Sequence, residues 1–258
     1  MSTSLIEIED LRKSFQGRPV LKGVNLSIPA GGLTAVIGKS GEGKSVLLKH
    51  IIGLMQPDSG DVRFEGRALA DMNQTERRGL KAVMSYMFQG MALFDSLTVF
   101  DNIALPLREK LRLKEPEVRD RVMRKLAQLE LSDVPGKFPS QLSGGMQKRV
   151  ALARALVTEP RIVLFDEPTT GLDPLRKRAV FQLIDDSRRS FGFTAVMVTH
   201  DIPDVFSIAD TVALLDEGRI VFSGTSREAM ESDQPMMLAF MPVAAQAGPS
   251  DGGSHVPE

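Results

Sequence analysis

The sequence predicts an α/β protein built on a parallel-sheet core, and three observations carry that expectation. Apolar runs at 33–38 (LTAVIG), 161–168 (RIVLFDEP) and 194–201 (TAVMVTHD) alternate with segments of helical spacing, the pattern of βαβ units. A glycine-rich loop, GKSGEGKS, joins the first of these runs to a helix. Alternating runs split by turn residues mark hairpins near the N-terminus and again at 211–224.

Composition limits the classes open to the chain. Its 258 residues carry a formal net charge of −1, with 42% hydrophobic and 25% charged side chains. That is ample material for a core and argues against a broad basic surface for nucleic acid. Cysteine is absent, which excludes disulfides, thiolate metal sites and cysteine nucleophiles. The opening MSTSLIEIED lacks the basic-then-apolar order of a signal peptide, and no run approaches the ~18 uninterrupted apolar residues of a spanning helix. The expectation is a cytoplasmic protein that meets a membrane only through partners.

The elements follow in order. LIEIEDLRKSF and VLKGVNLSI, separated by Gln16-Gly17-Arg18-Pro19, read as a hairpin. The strand 33–38 leads through the glycine loop into a helix at 45–55, stopped by Gln56-Pro57-Asp58-Ser59-Gly60. DVRFEG at 61–66 is a short strand, and AVMSYMFQ at 82–89 is a strand ending in Gln89. Between Val99 and Glu130 the chain turns helical and charge-rich, with apolar residues at 118, 122, 126 and 129, an inserted helical lobe. The runs at 161–168 and 194–201 return to the sheet, and TVALLDEGRIVFSG closes it as a hairpin. The last residues, 241–258, are small, polar and rich in Gly and Pro, a flexible tail.

Several residues sit where chemistry would need them. In GKSGEGKS, the backbone of Gly38, Lys39, Ser40, Gly41, Glu42 and Gly43 can close around phosphate oxygens, with a helix starting at Lys44, Ser45 and Val46 behind it. Lys44 would reach the β- and γ-phosphates of a nucleotide, and the Ser45 hydroxyl would ligate Mg²⁺. RIVLFDEP ends a buried strand on Asp166 and Glu167: Asp166 would hold Mg²⁺ through water, and Glu167 would polarise the water that attacks the γ-phosphate. His200 ends another strand, where a neutral imidazole could hydrogen-bond the γ-phosphate; a strand-end histidine also serves as plain structure. Gln89 could contact Mg²⁺ and the attacking water, and Phe15 could stack on a base or simply pack. His50 and His255 are read as structural.

A second glycine-rich helix start, QLSGGMQKR at 141–149, lacks the lysine of the first. Taken in order, Phe15, GKSGEGKS, Gln89, LSGGM, LFDEP with GLD at 171–173, and His200 resemble the ATP-binding cassette family over residues 5 to about 225. The resemblance implies a P-loop NTPase of RecA-like α/β core, an N-terminal antiparallel β-subdomain and an α-helical subdomain around 90–155, within a cassette spanning 5–240. It implies ATP and Mg²⁺ as cofactors and a head-to-tail dimer with two ATP molecules at its interface. There Ser143, Gly144 and Gly145 would contact the γ-phosphate held by the second copy, and Asp173 would belong to the D-loop. Departures are Phe15 for the commoner Tyr, Gly171 for Ala and Met146 for Gln.

A finer resemblance rests on FQGMALFDSLTVFDNIALPLRE, residues 88–109, which is similar to the ATPases of Mla-type and other MCE-associated lipid transporters. It implies a cassette beneath an integral membrane permease, on the cytoplasmic face of the inner membrane, powering phospholipid movement between membranes. An MCE substrate-binding protein and a small regulatory subunit would be further partners. Met91, Leu93, Phe94, Leu97, Val99 and Phe100 crowd the segment after Gln89, so those that do not pack inside the helical lobe could form a groove for a permease helix. The tail 241–258 could cross onto a neighbouring ATPase or a regulatory subunit. A soluble cassette ATPase without a permease, such as an iron–sulfur assembly ATPase, a cassette for another substrate, and a nucleotide-gated clamp without turnover stay open as alternatives.

Overall fold

Two sheets share one helix between them. The computed structural model describes residues 4–88, 90, 92–202 and 204–232. The N-terminal hairpin forms as its pattern predicts: β1 (Ser4–Phe15) and β2 (Arg18–Pro29) run antiparallel and close over Gln16-Gly17. β4 (Ser59–Phe64) adds to the other edge of β1, and β5 (Arg67–Ala68) pairs with β4, giving the order β2-β1-β4-β5.

The main sheet has the order β10-β9-β3-β8-β7-β6. Its strands are β3 (Leu33–Ile37), β6 (Met84–Met87), β7 (Ile162–Asp166), β8 (Thr194–Thr199), β9 (Thr211–Asp216) and β10 (Arg219–Thr225). From β9 to β6 all neighbours are parallel, and β10 returns antiparallel to β9 as the expected closing hairpin. Every residue of β3, β7 and β8 is buried, because helices cover both faces.

Alternate residues of these strands serve two cores. Val36, Leu164, Val196 and Val198 face α1 (Lys44–Ile51) and the N-terminal sheet, meeting Leu47, Leu48, Ile51, Ile6 and Leu21. Ala35, Ile37, Val163, Phe165 and Met197 face the helices on the other side. Those are α3 (Val99–Glu109), α4 (Glu115–Gln128), α5 (Gly144–Leu156) and α6 (Pro174–Phe191). In α4 the residues at 118, 122 and 126 are all buried, as is Leu129 after it. A short α7 (Ser226–Met230) follows β10.

Three boundaries differ from the sequence reading. The first helix ends at Ile51 rather than running to Met55, with Gly53 at φ 68° just beyond it. The helical stretch 99–130 is two helices, broken where Arg112 takes a φ of 52°. A helix α2 (Gln74–Ala82) was not expected, and it takes in the first residue assigned to the strand at 82–89. Gln89, Met91, His255 and the tail 241–258 lie outside the described residues.

Candidate nucleotide site

The glycine loop is shaped by what surrounds it. A side chain at Gly38 would put its Cβ 2.3 Å from the Leu215 carbonyl oxygen, and one at Gly43 would meet Val20 at 2.8 Å. Gly43, at φ 97°, caps α1 without any side-chain hydrogen bond, so the first N–H groups of that helix stay available to an anion. Lys44 is buried, and its Nζ donates to the carbonyls of Gly38 and Lys39, each at 2.8 Å, while standing 3.4 Å from Glu167 Oε1.

The carboxyl ends of β7 and β8 bring the partners. Ser45 Oγ donates to Asp166 Oδ1 at 2.7 Å, and the Tyr86 hydroxyl donates to Asp166 Oδ2 at 2.6 Å. Burial, helped by the Asp166 carboxylate, pushes the Tyr86 phenol pKa well above its ordinary value, so this group stays a donor. Glu167 takes a φ of 49°, uncommon for a residue with a side chain, with its N–H bonded to the Val198 carbonyl at 3.0 Å. That turn leaves β7 with one carboxylate oxygen near Lys44 and the other 2.5 Å from His200 Nδ1.

Phe15 and Val20 from the hairpin, Ser40, Gly41 and Gly43–Val46 from the loop, and Glu167 with His200 line one hollow of about 350 Å³. Lys39 contributes its carbonyl to Lys44, and Glu42 is half-buried in the loop without lining the hollow. The fold thus gathers residues from 15 to 200 at one end of the main sheet. His50, by contrast, is buried on α1 with Nδ1 2.8 Å from the Val46 carbonyl oxygen, as the structural expectation has it.

The second glycine-rich start stands apart from that hollow. Ser143 caps α5, accepting the Met146 N–H at 3.3 Å. A Cβ at Gly144 or Gly145 would meet no atom within 4 Å, so nothing in this chain's own packing requires glycine there. Both line a separate cavity of about 230 Å³ with Lys148, Leu172 and Arg176. Asp173 caps α6, accepting the Arg176 N–H at 3.1 Å.

Some contacts escaped the sequence reading. Tyr86 is one; Lys148 is another, a buried lysine whose Nζ donates to the Pro168 carbonyl at 2.6 Å and ties α5 to the strand end. Asp201, buried beside His200, is bonded by the Thr169 hydroxyl and Lys177. The His-Asp pair in VMVTHD was the available signal for Asp201, whereas the other two require the fold.

A groove of about 360 Å³ lies between β6, α3 and α5, with Tyr86, Phe88, Phe94, Pro106 and Arg154 in its lining. Phe88 is 45% exposed and Phe94 50%. Of the other apolar residues around it, Val99 is buried and Leu93 and Phe100 pack on the core. Asn102 fastens the loop, accepting the Phe94 N–H at 2.9 Å and donating to the Phe94, Leu97 and Thr98 carbonyls at 3.0–3.1 Å. Among the described residues, no helix is long and apolar enough to cross a membrane.

A strand, a glycine loop with a lysine at its helix start, and a neighbouring strand ending in Asp-Glu define a P-loop nucleotide cassette. The chain belongs to the ABC transporter family, as an ABC ATPase: the family model described as ABC transporter matches residues 21–170. The chain is 40% identical to the probable ribonucleotide transport ATP-binding protein mkl of Mycobacterium tuberculosis, over 92% of this chain but 66% of that protein. It is 37% identical to the intermembrane phospholipid transport system ATP-binding protein MlaF of Escherichia coli, over 92% of this chain and 88% of that one. Among solved structures, cbiO1 of Clostridium perfringens, part of the ABC transporter complex cbiONQ, aligns with TM-score 0.81 and 31% identity, covering 89% and 92% of the two chains. The bacterial cassette MJ0796, solved as a dimer in a post-hydrolysis state with ADP and Pi, aligns with TM-score 0.75 and 32% identity, covering 86% of this chain and 99% of that one.

Proposed function

We propose that this chain hydrolyses MgATP as the nucleotide-binding subunit of a phospholipid transporter, with residues 5–240 as the cassette and 90–155 as its helical subdomain. The observation that carries the reading is the chain of contacts from Lys44 through Glu167 to His200, beside the Ser45–Asp166 pair. In this reading Lys44 and the loop from Gly38 to Val46 hold the phosphates, and Phe15 stacks on the base. Glu167 accepts the proton of the water attacking the γ-phosphate, a role that contributes about 10²–10⁴ in rate. His200 Nδ1 orients that carboxylate, which leaves Nε2 for the phosphate.

The oxygens of Ser45 and Asp166 fit Mg²⁺, a hard cation that binds through one or two protein oxygens plus substrate phosphates. Among the described residues there is no group of three or more acidic or histidine side chains that could hold a metal alone, which suits a cation arriving with its nucleotide. When bound, Mg²⁺ neutralises charge on the phosphates. Gln89 is the remaining proposed ligand.

Ser143, Gly144, Gly145 and Asp173 serve the nucleotide of a second copy in a head-to-tail dimer. Their separation from the P-loop hollow and the open space over both glycines support this. The dimeric state of MJ0796 supports it as well. The groove bearing Phe88 and Phe94 receives a helix of an integral membrane permease, which would hold the chain on the cytoplasmic face of the inner membrane. An MCE substrate-binding protein and a small regulatory subunit complete the assembly, and residues 241–258 would cross onto the neighbouring ATPase or that subunit. Relatives are named for ribonucleotide and for phospholipid transport; the fuller coverage of the MlaF proteins, 88% to 94%, favours phospholipid. Purifying the chain from its native membranes and identifying the proteins and lipids that accompany it tests this reading. A permease with bound phospholipid is expected, and a chain that fractionates without any membrane protein would contradict it.

A further inference from the structure

Tyr86 reaches the catalytic end of the sheet from a strand that ends before it. In the parallel register of β6 and β7, Tyr86 stands opposite Leu164, and Asp166 is two residues further along the same face. That diagonal is within reach of an aromatic side chain. The phenol spans it and donates to Asp166 Oδ2 at 2.6 Å, while Oδ1 of the same carboxylate accepts the Ser45 hydroxyl at 2.7 Å. Hydrogen bonds to a charged oxygen are among the stronger kind, and a carboxylate held at both oxygens cannot swivel.

We propose that Tyr86 is a positioning residue for ATP hydrolysis, fixing the Asp166 carboxylate so that one oxygen stays beside Ser45 where the cation is to be held. The inference rests on the reading of Asp166 and Ser45 as the cation-holding groups. Phenylalanine would fill the same space but leave Oδ2 free to rotate. Tyr86 and Phe88 pack with ring centroids 4.4 Å apart, and both residues line the groove beside α3.

The test compares the full wild-type chain with Tyr86→Phe, measuring ATP affinity in excess Mg²⁺ and in EDTA. The expected result is equal affinity of the two proteins in EDTA and a Mg²⁺-dependent gain about tenfold smaller in Tyr86→Phe, the size of one hydrogen bond to a charged group. Equal Mg²⁺-dependent gains would overturn the proposal while leaving Asp166 and Ser45 as cation groups. A wild-type chain that gains nothing from Mg²⁺ would overturn the underlying reading, and the proposal with it.

A second measurement needs no substitution at Tyr86. The chain has one tyrosine and no tryptophan, so its intrinsic emission reports Tyr86 alone. Adding Mn²⁺ to the nucleotide complex is expected to quench that emission in the wild type and to do so far less in Asp166→Asn. Emission that ignores Mn²⁺ in the wild type would contradict the proposal, even if Tyr86→Phe folds poorly.

Discussion

His200 Nδ1 lies 2.5 Å from Glu167 Oε2, while Oε1 of the same carboxylate is 3.4 Å from Lys44 Nζ. Glu167 thus links the residue that would hold phosphate to the residue that ends the neighbouring strand. Its unusual backbone conformation is what aims it both ways, since an ordinary extended residue would continue the line of β7.

Glu167→Gln keeps the shape and removes the base. The amide still reaches His200 but cannot take a proton from water, so phosphate release should fall by about 10²–10⁴ while ATP binding is retained. Phosphate release together with equilibrium nucleotide binding reads the two effects separately. An unchanged rate would remove Glu167 from this role.

Lys44→Ala should act on binding instead. Lys44 is pre-positioned by two loop carbonyls, and its loss leaves the phosphates without their buried cation. Nucleotide affinity should drop by about tenfold to a hundredfold, the scale of one or two charged hydrogen bonds. Calorimetric titration with ATP checks it, and wild-type affinity would count against the P-loop assignment.

Phe94→Asp should separate assembly from chemistry. The ring is half exposed, Asn102 fastens the backbone that carries it, and it is remote in the chain from the P-loop. A charge placed in that groove should abolish capture of the permease while the isolated chain still hydrolyses ATP. Pull-down from membranes and phosphate release from the purified subunit are the paired readouts.

His50 predicts a pH effect on stability. Burial on α1 lowers its pKa below the ordinary histidine value of about 6.5, so the unfolded chain binds the proton more readily than the folded one. The folded state therefore loses this contribution as pH falls below about 6.5 toward the depressed folded pKa, and holds it fully above that range. Melting curves should show a drop in stability between about pH 7.5 and 5.5 that is smaller in His50→Gln, and an equal drop in both proteins would contradict this assignment.

Much of this was legible because local signals agreed with each other. The GKSGEGKS loop between an apolar strand and a helix start needs no long-range information, and neither do strands buried on both faces. Helix α2 escaped because it buries none of its residues, so it carries no apolar stripe. It stands on a capping box, Asn73 with Glu76, which the sequence does display at the right spacing. Tyr86 was not legible, because its bond to Asp166 depends on which strand neighbours β6 and in what register. Gly144 and Gly145 were legible as a helix start, but what the structure adds is the empty space above them.

In the proposed dimer the nucleotide site is shared between two copies, with Ser40 on one and Ser143 on the other flanking the same phosphate. The natural chain has no cysteine, so thiols can be placed at will. The decisive measurement mixes Ser40→Cys chains with Ser143→Cys chains, both carrying Glu167→Gln, and adds a short thiol cross-linker with and without ATP. A covalent dimer of twice the 28.2 kDa chain is expected, formed in the mixture only when ATP is present. Cross-linking that ignores ATP, or none with ATP bound, would contradict it.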